Sequence, residues 1–455
     1  MRLRDMSAPE SLEAWIDRQY RLSATAMRSA ISPTHIVKTR PGFGQTIKPK
    51  PGAIVASPVL ASWDPDPDYF FHWFRDSAIV IDALRVLHED GTAGPEALTD
   101  FRDFIDFSLS LQQLEGRPLV EDSSWRARTI AEFQQYLRSD AELSAVTPET
   151  VVAETRVNPD ATLDISRWSR PQHDGPALRI LVVLRWLMQR IALDDGCRRQ
   201  AALLLHGDID FILAHGDEPD FDMWEEEKGR NYYTDRLMAS ALEQAAAWFN
   251  LEQHQRKAAA CRHAALQISH RLDSYWLESE GFYRSRLAGT PARHLDISVI
   301  FAIIHSGEDG PLHGLRDPRV LATLKRLEAL FARDYAINHH RPAERAPALG
   351  RYSGDIYFSG GAYYFSTLAA AEFYYRLAAA TAGEMASAYK RQGDGFLETV
   401  RAFTPASGEL SEQFDRSTGR QTSAKRLAWS HAGLITAVSA RRALSPTSWA
   451  QRKGP

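Results

Sequence analysis

Apolar residues recur with helical spacing through almost the whole chain, whereas the alternation typical of β-strands is scarce. The segment from Ala177 to Met188 is the clearest apolar helix, and a Gly-Pro pair comes just before it. The pattern predicts about twelve helices, at residues 10–30, 73–92, 97–115, 174–194, 197–214, 231–249, 252–276, 295–306, 317–332, 360–379, 384–400 and 426–442. We therefore predict an all-α fold.

Long segments rich in glycine, proline and aromatic residues separate several of these helices, at residues 40–72, 155–173, 216–230, 340–360 and 403–424. Loops of this length are usually functional or disordered. Their tryptophan, tyrosine, arginine and carboxylate content argues against disorder. We expect a helical scaffold whose loops gather at one end. Since no flexible linker or block of charge divides the chain, residues 1–455 are predicted to form one domain.

Composition narrows the class of protein. Lys and Arg number 54 and Asp and Glu 58, a formal charge of −4, so no positive excess is available for nucleic acid or an anionic membrane. The two cysteines, Cys197 and Cys261, match no zinc spacing and are expected to be buried thiols. The first twenty residues lack the apolar stretch of a secretory signal, and the most apolar run, Ile180 to Met188, is too short to span a membrane. These features predict a soluble, cytoplasmic protein.

Two loops place aromatic and charged residues directly before a predicted helix. The first, residues 67–77, reads PDYFFHWFRDS and combines aromatic rings with the pair Arg75 and Asp76. Sugars have apolar faces and many hydroxyls, so aromatic platforms beside bidentate charged groups suit them; an aromatic core with a capping aspartate is the alternative. The second, residues 167–176, reads RWSRPQHDGP. Its His173-Asp174 pair permits a metallophosphohydrolase hypothesis, but Asp174 is better explained as an acceptor at a helix start.

Three further segments carry the same kind of residues. Residues 220–229, DFDMWEEEKG, crowd five carboxylates around one tryptophan. Crowded carboxylates beside an apolar ring resist ionisation, as a general acid requires; a solvated acidic helix end is the alternative. Residues 350–358 read GRYSGDIYF, and residues 407–415 read SGELSEQFD and lead through Ser423 to Trp429.

Taken together, these motifs resemble the glucoamylases of glycoside hydrolase family 15. The similarity runs in order from SLEAWI at residues 11–16 to WSHAGL at residues 429–434, which is nearly the whole chain. The resemblance implies an (α/α)6 barrel of six inner and six outer helices, with the active site in a funnel formed by loops at one end. It implies no metal and no organic cofactor.

The resemblance also assigns roles to residues. Glu225 corresponds to the general acid that protonates the glycosidic oxygen, and Glu412 to the general base that activates water from the opposite face. Carboxylates about 6.5–9.5 Å apart give inversion of the anomeric centre. Arg75 and Asp76 correspond to the pair that holds the terminal non-reducing glucose. Substrate contacts are expected from Tyr69, Trp73, Arg75, Asp76, Trp168, Met223, Trp224, Glu226, Arg351 and Tyr357. Supporting roles are expected for Asp222, Gln413, Ser423 and Trp429.

The implied activity is an exo-acting, inverting α-glucosidase that takes short α-glucoside oligosaccharides and releases β-glucose. A trehalase or an α-1,6-specific enzyme is the alternative within the family, because Ser353-Gly354 and the run SGGAY at residues 359–363 depart from starch-cleaving relatives. A sugar epimerase or a non-catalytic carbohydrate-binding protein remains as a distant alternative. No starch-binding module and no N-terminal β-domain are expected. Segment 121–148, with a helical run from Thr129 to Leu137, is expected either to shape the pocket or an oligomer contact, or to be a surface excursion.

Overall fold

The computed structural model describes residues 10–62, 65–189 and 191–444. Each of the twelve predicted helices is present in these residues, with ends displaced by a few positions, and two five-residue helices are added. The α-helices are α1 Leu12–Arg28, α2 Phe74–Glu89, α3 Glu96–Leu111, α4 Arg117–Glu121, α5 Asp140–Ser144, α6 Asp174–Met188, α7 Asp195–His215, α8 Tyr232–Leu251, α9 Gln255–Leu272, α10 Ser298–Ser306, α11 Pro318–Asp334, α12 Tyr364–Ala379, α13 Gly383–Phe403 and α14 Ala428–Arg442.

Six helices close into an inner ring. In order around the ring they are α2, α6, α8, α10, α12 and α14, and α14 packs back against α2. The other six long helices lie outside, each packed on an inner neighbour: α1 on α14, α3 on α2, α7 on α6, α9 on α8, α11 on α10 and α13 on α12. Inner and outer helices alternate strictly along the chain, so the predicted (α/α)6 barrel is confirmed.

Hydrophobic patterning explains which helices lie inside. Helix α6, with the sequence DGPALRILVVLRWLM, buries residues on every side, as a helix must that contacts both ring neighbours and an outer helix. Helix α11, PRVLATLKRLEALFARD, buries only one stripe, formed by Val320, Thr323, Leu324, Leu327, Leu330 and Phe331. The amphipathic helix therefore faces solvent on its polar side.

The β-structure is confined to short antiparallel pairs that tie loops together. The strands are β1 Lys38–Arg40, β2 Gln45–Ile47, β3 His72–Trp73, β4 Arg156–Asn158, β5 Thr162–Leu163, β6 Asp220–Phe221, β7 Lys228–Gly229, β8 Trp276–Leu277, β9 Phe282–Tyr283, β10 Ala362–Tyr363, β11 Gln413–Phe414 and β12 Gln421–Thr422. Strands β3, β4 and β5 join the first two predicted loops, with Trp73 opposite Arg156. Strands β10, β11 and β12 join the last two, with Tyr363 opposite Gln413.

The five predicted loops all lead into the N-termini of inner helices, namely α2, α6, α8, α12 and α14. The remaining inner helix, α10, is preceded by residues 277–297, a connection that the sequence pattern did not single out. Because the N-terminus of a helix carries a partial positive charge, this end of the barrel favours acidic groups. The predicted gathering of loops at one end is confirmed.

Segment 121–148 forms no long helix. The run predicted from Thr129 to Leu137 is a 3₁₀ helix over Ala131–Tyr136, in which residues three apart lie above one another and the rings of Phe133 and Tyr136 pack 6.0 Å apart. A second, smaller hydrophobic cluster forms here from Phe43, Trp125, Leu137, Leu143 and Ile165. The segment is therefore packed onto the loop that precedes α6.

Two other expectations concern thiols and membranes. Cys197 and Cys261 are buried and free, as predicted. Among the helices in the described residues, none is both long and apolar enough to cross a membrane.

Candidate active site

A cavity of about 510 Å³ opens at the loop end of the barrel. It collects side chains from all five predicted loops. Of the sequence-predicted site residues, the following line it: Tyr69, Trp73, Arg75, Asp76, Trp168, Met223, Trp224, Glu225, Glu226, Arg351, Tyr357, Glu412 and Trp429. Asp222, Gln413 and Ser423 do not line the cavity but lie next to residues that do.

The floor of this pocket is aromatic. Phe365 in the first turn of α12 and Trp429 in the first turn of α14 stack with ring centroids 4.4 Å apart and an interplanar angle of 10°. Both rings also line a small cavity deeper in the barrel, so they separate the two spaces. The guanidinium of Arg75 lies 5.5 Å from the Trp429 ring. Trp429 therefore supports the floor and Arg75.

Glu225 lies in the turn of the β6–β7 hairpin with φ at +67°, the left-handed region that non-glycine residues seldom adopt. The hairpin replaces the acidic helix end that was the alternative explanation of residues 220–229. Glu225 Oε1 accepts hydrogen bonds from Trp73 Nε1 at 2.9 Å and Arg75 Nη2 at 3.0 Å. Its Oε2 accepts from the indole N–H of Trp168. The carboxylate is therefore aimed into the pocket by donors from three positions.

The turn that carries Glu225 is organised by Asp222. Its carboxylate accepts backbone N–H bonds from Trp224 at 3.0 Å, Glu226 at 3.1 Å and Glu227 at 3.2 Å. Arg286 lies 3.0 Å from it on the other side. Burial nevertheless raises the pKa of Asp222, with Arg286 acting against that change. Asp222 thus shapes the backbone beneath Glu225 and does not line the cavity.

Glu412 belongs to the loop before α14 and lines the pocket, with 8% of its surface exposed. Its Oε2 accepts from the hydroxyl of Ser423, and its Oε1 accepts from the Tyr69 hydroxyl at 3.3 Å. Ser423 also has a left-handed backbone, with φ at +63°. Burial raises the pKa of Glu412 to about 7, although the donations from Ser423 and Tyr69 and the charge of Arg351 act in the opposite direction.

One aromatic pair connects the two glutamates. The rings of Tyr69 and Trp73 pack with centroids 5.1 Å apart. Tyr69 donates to Glu412 and Trp73 donates to Glu225. Each carboxylate is thus bound to one ring of this pair, and both line the same cavity.

Arg75 and Asp76 occupy the first turn of α2, where the partial positive charge of the helix favours an acidic group. Arg75 is 5% exposed; its Nη2 lies 3.3 Å from Asp76, and its Nη1 donates to Asp174 at 3.3 Å. Burial raises the pKa of Asp76 to about 6, with Arg75 opposing the change. Arg75 Nε and Asp76 Oδ2 are buried without hydrogen-bond partners in the protein. Asp174 begins α6 and serves mainly as the partner of Arg75.

The opposite wall is formed by Arg351 and Glu226. Arg351 makes a bidentate pair with Asp355, at 2.7 and 2.6 Å, and donates to Glu226 at 2.9 Å. Glu226 also accepts from Arg293 at 2.7 Å and from the Tyr352 hydroxyl. The charge of Glu226 is therefore compensated from two sides.

Tryptophans complete two walls. Arg156 lies 3.6 Å from the ring centroid of Trp168, which fixes the ring that donates to Glu225. Trp224 Nε1 donates to Asp296 at 2.9 Å. Tyr357 shares a 2.7 Å hydrogen bond with the Tyr69 hydroxyl. Gln413, predicted to support the base, donates to the Tyr363 hydroxyl at 2.8 Å.

Several site residues were not predicted from the sequence. The pocket is also lined by Ala56, Arg167, Ser169, Phe221, Tyr363, Phe365 and Leu427. Most are immediate neighbours of predicted residues, so an extension of each motif by one or two positions would have found them. Arg293 and Asp296 lie in the loop before α10. A closed ring of six inner helices has six loops at this end, one before each helix. Only five were predicted, so counting the loops would have indicated that a sixth, before α10, also contributes to the site.

The metallophosphohydrolase hypothesis requires a metal centre that includes His173 and Asp174. Within residues 10–62, 65–189 and 191–444, no group of three or more His, Cys, Asp or Glu side chains is arranged to hold a metal ion. Asp174 is paired with Arg75, and His173 packs on Phe211 with ring centroids 5.3 Å apart.

Comparison with known families agrees with this geometry. The family model for glycosyl hydrolases family 15 matches residues 42–118, 152–386 and 381–439. The chain is 29% identical over 440 residues to Glucoamylase-1 of Schizophyllum commune, covering 88% of this chain and 70% of that protein. It is 25% identical over 507 residues to the intracellular sporulation-specific glucoamylase of Saccharomyces cerevisiae, covering 95% of this chain and 84% of that protein.

Solved structures show the same fold. The glycoside hydrolase family 15 glucoamylase of Hypocrea jecorina superposes with a TM-score of 0.76 at 24% identity, covering 96% of this chain and 74% of that one. The glucoamylase of Saccharomycopsis fibuligera superposes with a TM-score of 0.75 at 20% identity, covering 95% of this chain and 96% of that one.

The raised pKa of Glu412 predicts a pH-dependent effect of Glu412→Gln on stability. A carboxyl whose folded pKa is about 7, against an ordinary 4.5, favours the folded state below pH 4.5 and loses that contribution as pH rises through 7. Glu412→Gln should therefore be more stable than the wild type at pH 8 by about 3 kcal/mol, and the difference should vanish near pH 4. Denaturant unfolding at both pH values measures it.

The matched control is Glu384→Gln, on the exposed face of the outer helix α13. It should show no such pH-dependent gain. A Glu412→Gln protein that is less stable than the wild type at pH 8 contradicts the assignment of a desolvated carboxyl.

Proposed function

Because the chain belongs to glycosyl hydrolases family 15, we propose that it is an inverting, exo-acting α-glucosidase of the glucoamylase type. It removes terminal α-linked glucose from the non-reducing ends of short α-glucosides and releases β-D-glucose. The observation that carries this proposal is the pair Glu225 and Glu412, which line one cavity and are bound by the neighbouring rings of Trp73 and Tyr69, respectively.

Glu412 is the general base. As a carboxylate it takes a proton from a water molecule, whose oxygen attacks the anomeric carbon on the face opposite the leaving group. The Tyr69 and Ser423 hydroxyls, which both donate to Glu412, hold its carboxylate in orientation. Burial raises the pKa of Glu412, and a more basic carboxylate is a stronger proton acceptor.

Glu225 is the general acid. It gives its proton to the glycosidic oxygen as the bond to the anomeric carbon breaks, so that the leaving group departs as an alcohol. Glu225 accepts hydrogen bonds from Arg75, Trp73 and Trp168, which fix the direction of its carboxyl group toward the substrate.

Arg75 and Asp76 bind the terminal glucose. Both residues line the pocket, and a guanidinium beside a carboxylate offers the donors and acceptors that sugar hydroxyls require. The stacked rings of Phe365 and Trp429 close the floor beneath. A pocket with such an end admits a chain terminus and excludes a chain interior.

The linkage is set on the leaving-group side. Ser353-Gly354 and the run SGGAY at residues 359–363 depart from the pattern of starch-cleaving relatives, and Tyr357, which lies between them, lines the pocket. Gly354 has φ at +77° with open space where a Cβ would lie. These features keep a trehalase or an α-1,6-specific enzyme as the second candidate. Release of glucose from maltose, isomaltose, kojibiose, nigerose, trehalose and dextran, measured side by side, ranks them.

We also propose that residues 1–455 act as one catalytic domain, since residues of all twelve long helices share one continuous hydrophobic cluster. A cytoplasmic location is proposed from the relative named as an intracellular glucoamylase and from the two free thiols. Fractionation of the native host with an antibody to the protein tests the location.

The two glutamates should respond differently to the leaving group. Glu225→Gln and Glu412→Gln should each lower kcat on an unactivated disaccharide by at least about a hundredfold, because each removes one partner in proton transfer. α-D-Glucosyl fluoride needs no protonation to depart. Glu225→Gln should therefore keep most of its activity on the fluoride, whereas Glu412→Gln should lose it. The reverse result would exchange the two roles, and Glu384→Gln is the control for substitution itself.

Inversion predicts the anomer of the first product. Water that attacks opposite the leaving group of an α-glucoside gives β-glucose. Proton NMR in the first turnovers, before mutarotation, should show the β-anomeric signal ahead of the α signal. If α-glucose appears first, the single-displacement mechanism is rejected.

Exo-action predicts refusal of blocked chain ends. A maltoheptaose that carries a 4,6-acetal on its non-reducing glucose should release no product, because Arg75 and Asp76 cannot bind the blocked hydroxyls. Arg75→Lys should lower kcat/KM on free maltoheptaose by at least about tenfold, since a lysine cannot reproduce the guanidinium geometry. Cleavage of the blocked substrate into internal fragments would contradict the closed pocket and leave the roles of the glutamates intact.

A further inference from the structure

Arg167 is the one cation in the pocket lining that has no carboxylate partner in the described part of the chain. The other two are neutralised: Arg75 by Asp174 and Glu225, at 3.3 and 3.0 Å, and Arg351 by Asp355 at 2.6 Å. Arg167 is exposed and belongs to the lining of the same cavity. Its side chain makes one hydrogen bond, from Nε to the backbone carbonyl of Leu137 at 3.0 Å.

That single bond directs the guanidinium. An anchor at Nε leaves the two Nη groups, which carry four of the five N–H donors, without a hydrogen bond to the described residues, on a residue that lines the pocket. The backbone N–H of Arg167 is fixed as well, by the carbonyl of Tyr136 at 2.7 Å. Arg167 is thus held by the chain at both its backbone and its Nε.

The anchor is supplied by a segment with its own hydrophobic cluster. Tyr136 and Leu137 lie in residues 119–151, the gap between the pieces 42–118 and 152–386 that match the family model. The small hydrophobic cluster around Trp125 and Leu143 packs the segment in place. Arg167 is therefore positioned by a segment that lies between the matched pieces of the family model.

The location of Arg167 indicates which part of the substrate lies near it. It adjoins Trp168, whose indole N–H donates to Glu225. Since Glu225 protonates the glycosidic oxygen in the proposed function, the group beyond that oxygen, the leaving group, lies on this side. The nearby carboxylate Glu226 is already compensated by Arg351 and Arg293, at 2.9 and 2.7 Å. Arg167 helps to lower the pKa of Glu142 but forms no ion pair with it, so among the described residues no carboxylate is in hydrogen-bond contact with this guanidinium.

We propose that Arg167 binds an anionic group, a carboxylate or a phosphate, on the leaving group, so that acidic α-glucosides are preferred to neutral ones. A guanidinium with two free Nη groups matches both anions in a bidentate geometry and always remains charged. This inference rests on the proposed function, because it uses the side of the pocket to which Glu225 delivers its proton.

Matched substrate pairs test the inference. The carboxylate pair is α-glucosylglycerate and α-glucosylglycerol, which differ only by a carboxylate in place of a hydroxymethyl group. The phosphate pair is trehalose 6-phosphate and trehalose. At low salt the wild type should show a kcat/KM at least about fivefold higher for the anionic member of one pair, as a charge-assisted hydrogen bond requires. The pair that shows the preference identifies the anion, and 0.5 M NaCl should reduce the ratio.

Variants assign the effect to Arg167. Arg167→Gln should bring the ratio to one or below, and Arg167→Lys should keep part of it. Because the readout is a ratio between matched substrates, a uniform loss of activity does not alter it. Arg262→Gln, an exposed arginine on the outer helix α9, is the control and should keep the wild-type ratio.

Two results would overturn the inference: a wild-type ratio of one or below in both pairs, or a ratio that Arg167→Gln leaves unchanged. Failure of the proposed function is distinguishable, because the wild type would then release no glucose from any neutral α-glucoside in the wider linkage panel. Calorimetric titration of Glu225→Gln with the same pairs reports the ratio as binding, so the inference is decided even without turnover.

Discussion

The buried guanidinium of Arg75 is the interaction on which the arrangement of the site depends. It lies in the first turn of α2 and pairs with Asp76 beside it, Asp174 at the start of α6 and Glu225 in the β6–β7 hairpin. Taking such a cation out of water costs several kcal/mol unless it is fully paired. The three carboxylates must therefore converge on it, and closing the ring between α2 and α6 also brings Glu225 to the pocket.

The geometry of the glutamates is obtained at a local cost. Glu225 and Ser423 both adopt left-handed backbone conformations, which cost roughly 1–3 kcal/mol each in a non-glycine residue. Burial of Glu412 adds a penalty for its ionised form. Short strand pairs and a closed ring of well-packed helices hold these unfavourable features in place. These conformations and the buried carboxylate lower the stability of the folded protein, and the packing of the barrel helices offsets that loss.

The two sides of the pocket are built by different means. In the proposed function, the glucose side comes from helix N-termini and hairpins that are tied into the ring, including Arg75 and the Phe365–Trp429 floor. The proposed leaving-group side is formed by segments outside the inner helices, among them residues 119–151 behind Arg167 and the glycine-containing run before Gly361. On this proposal, specificity for the leaving group can vary while the part that binds glucose and carries out hydrolysis is retained.

Local sequence determined much of this protein. Helical periodicity placed all twelve long helices, because each must bury an apolar face whatever its neighbours are, and the short motifs around Arg75, Glu225 and Glu412 identified most of the pocket lining. Contacts between distant segments were decided only by the tertiary structure. The bond from Gln413 to Tyr363 and the anchoring of Arg167 by Leu137 join residues far apart in the chain. The hairpin in place of an acidic helix end and the 3₁₀ helix at Ala131–Tyr136 are local structures whose choice over a longer helix depends on the packing around them. Periodicity reports which face of an element is buried, but the partner against which that face packs is selected by closure of the ring.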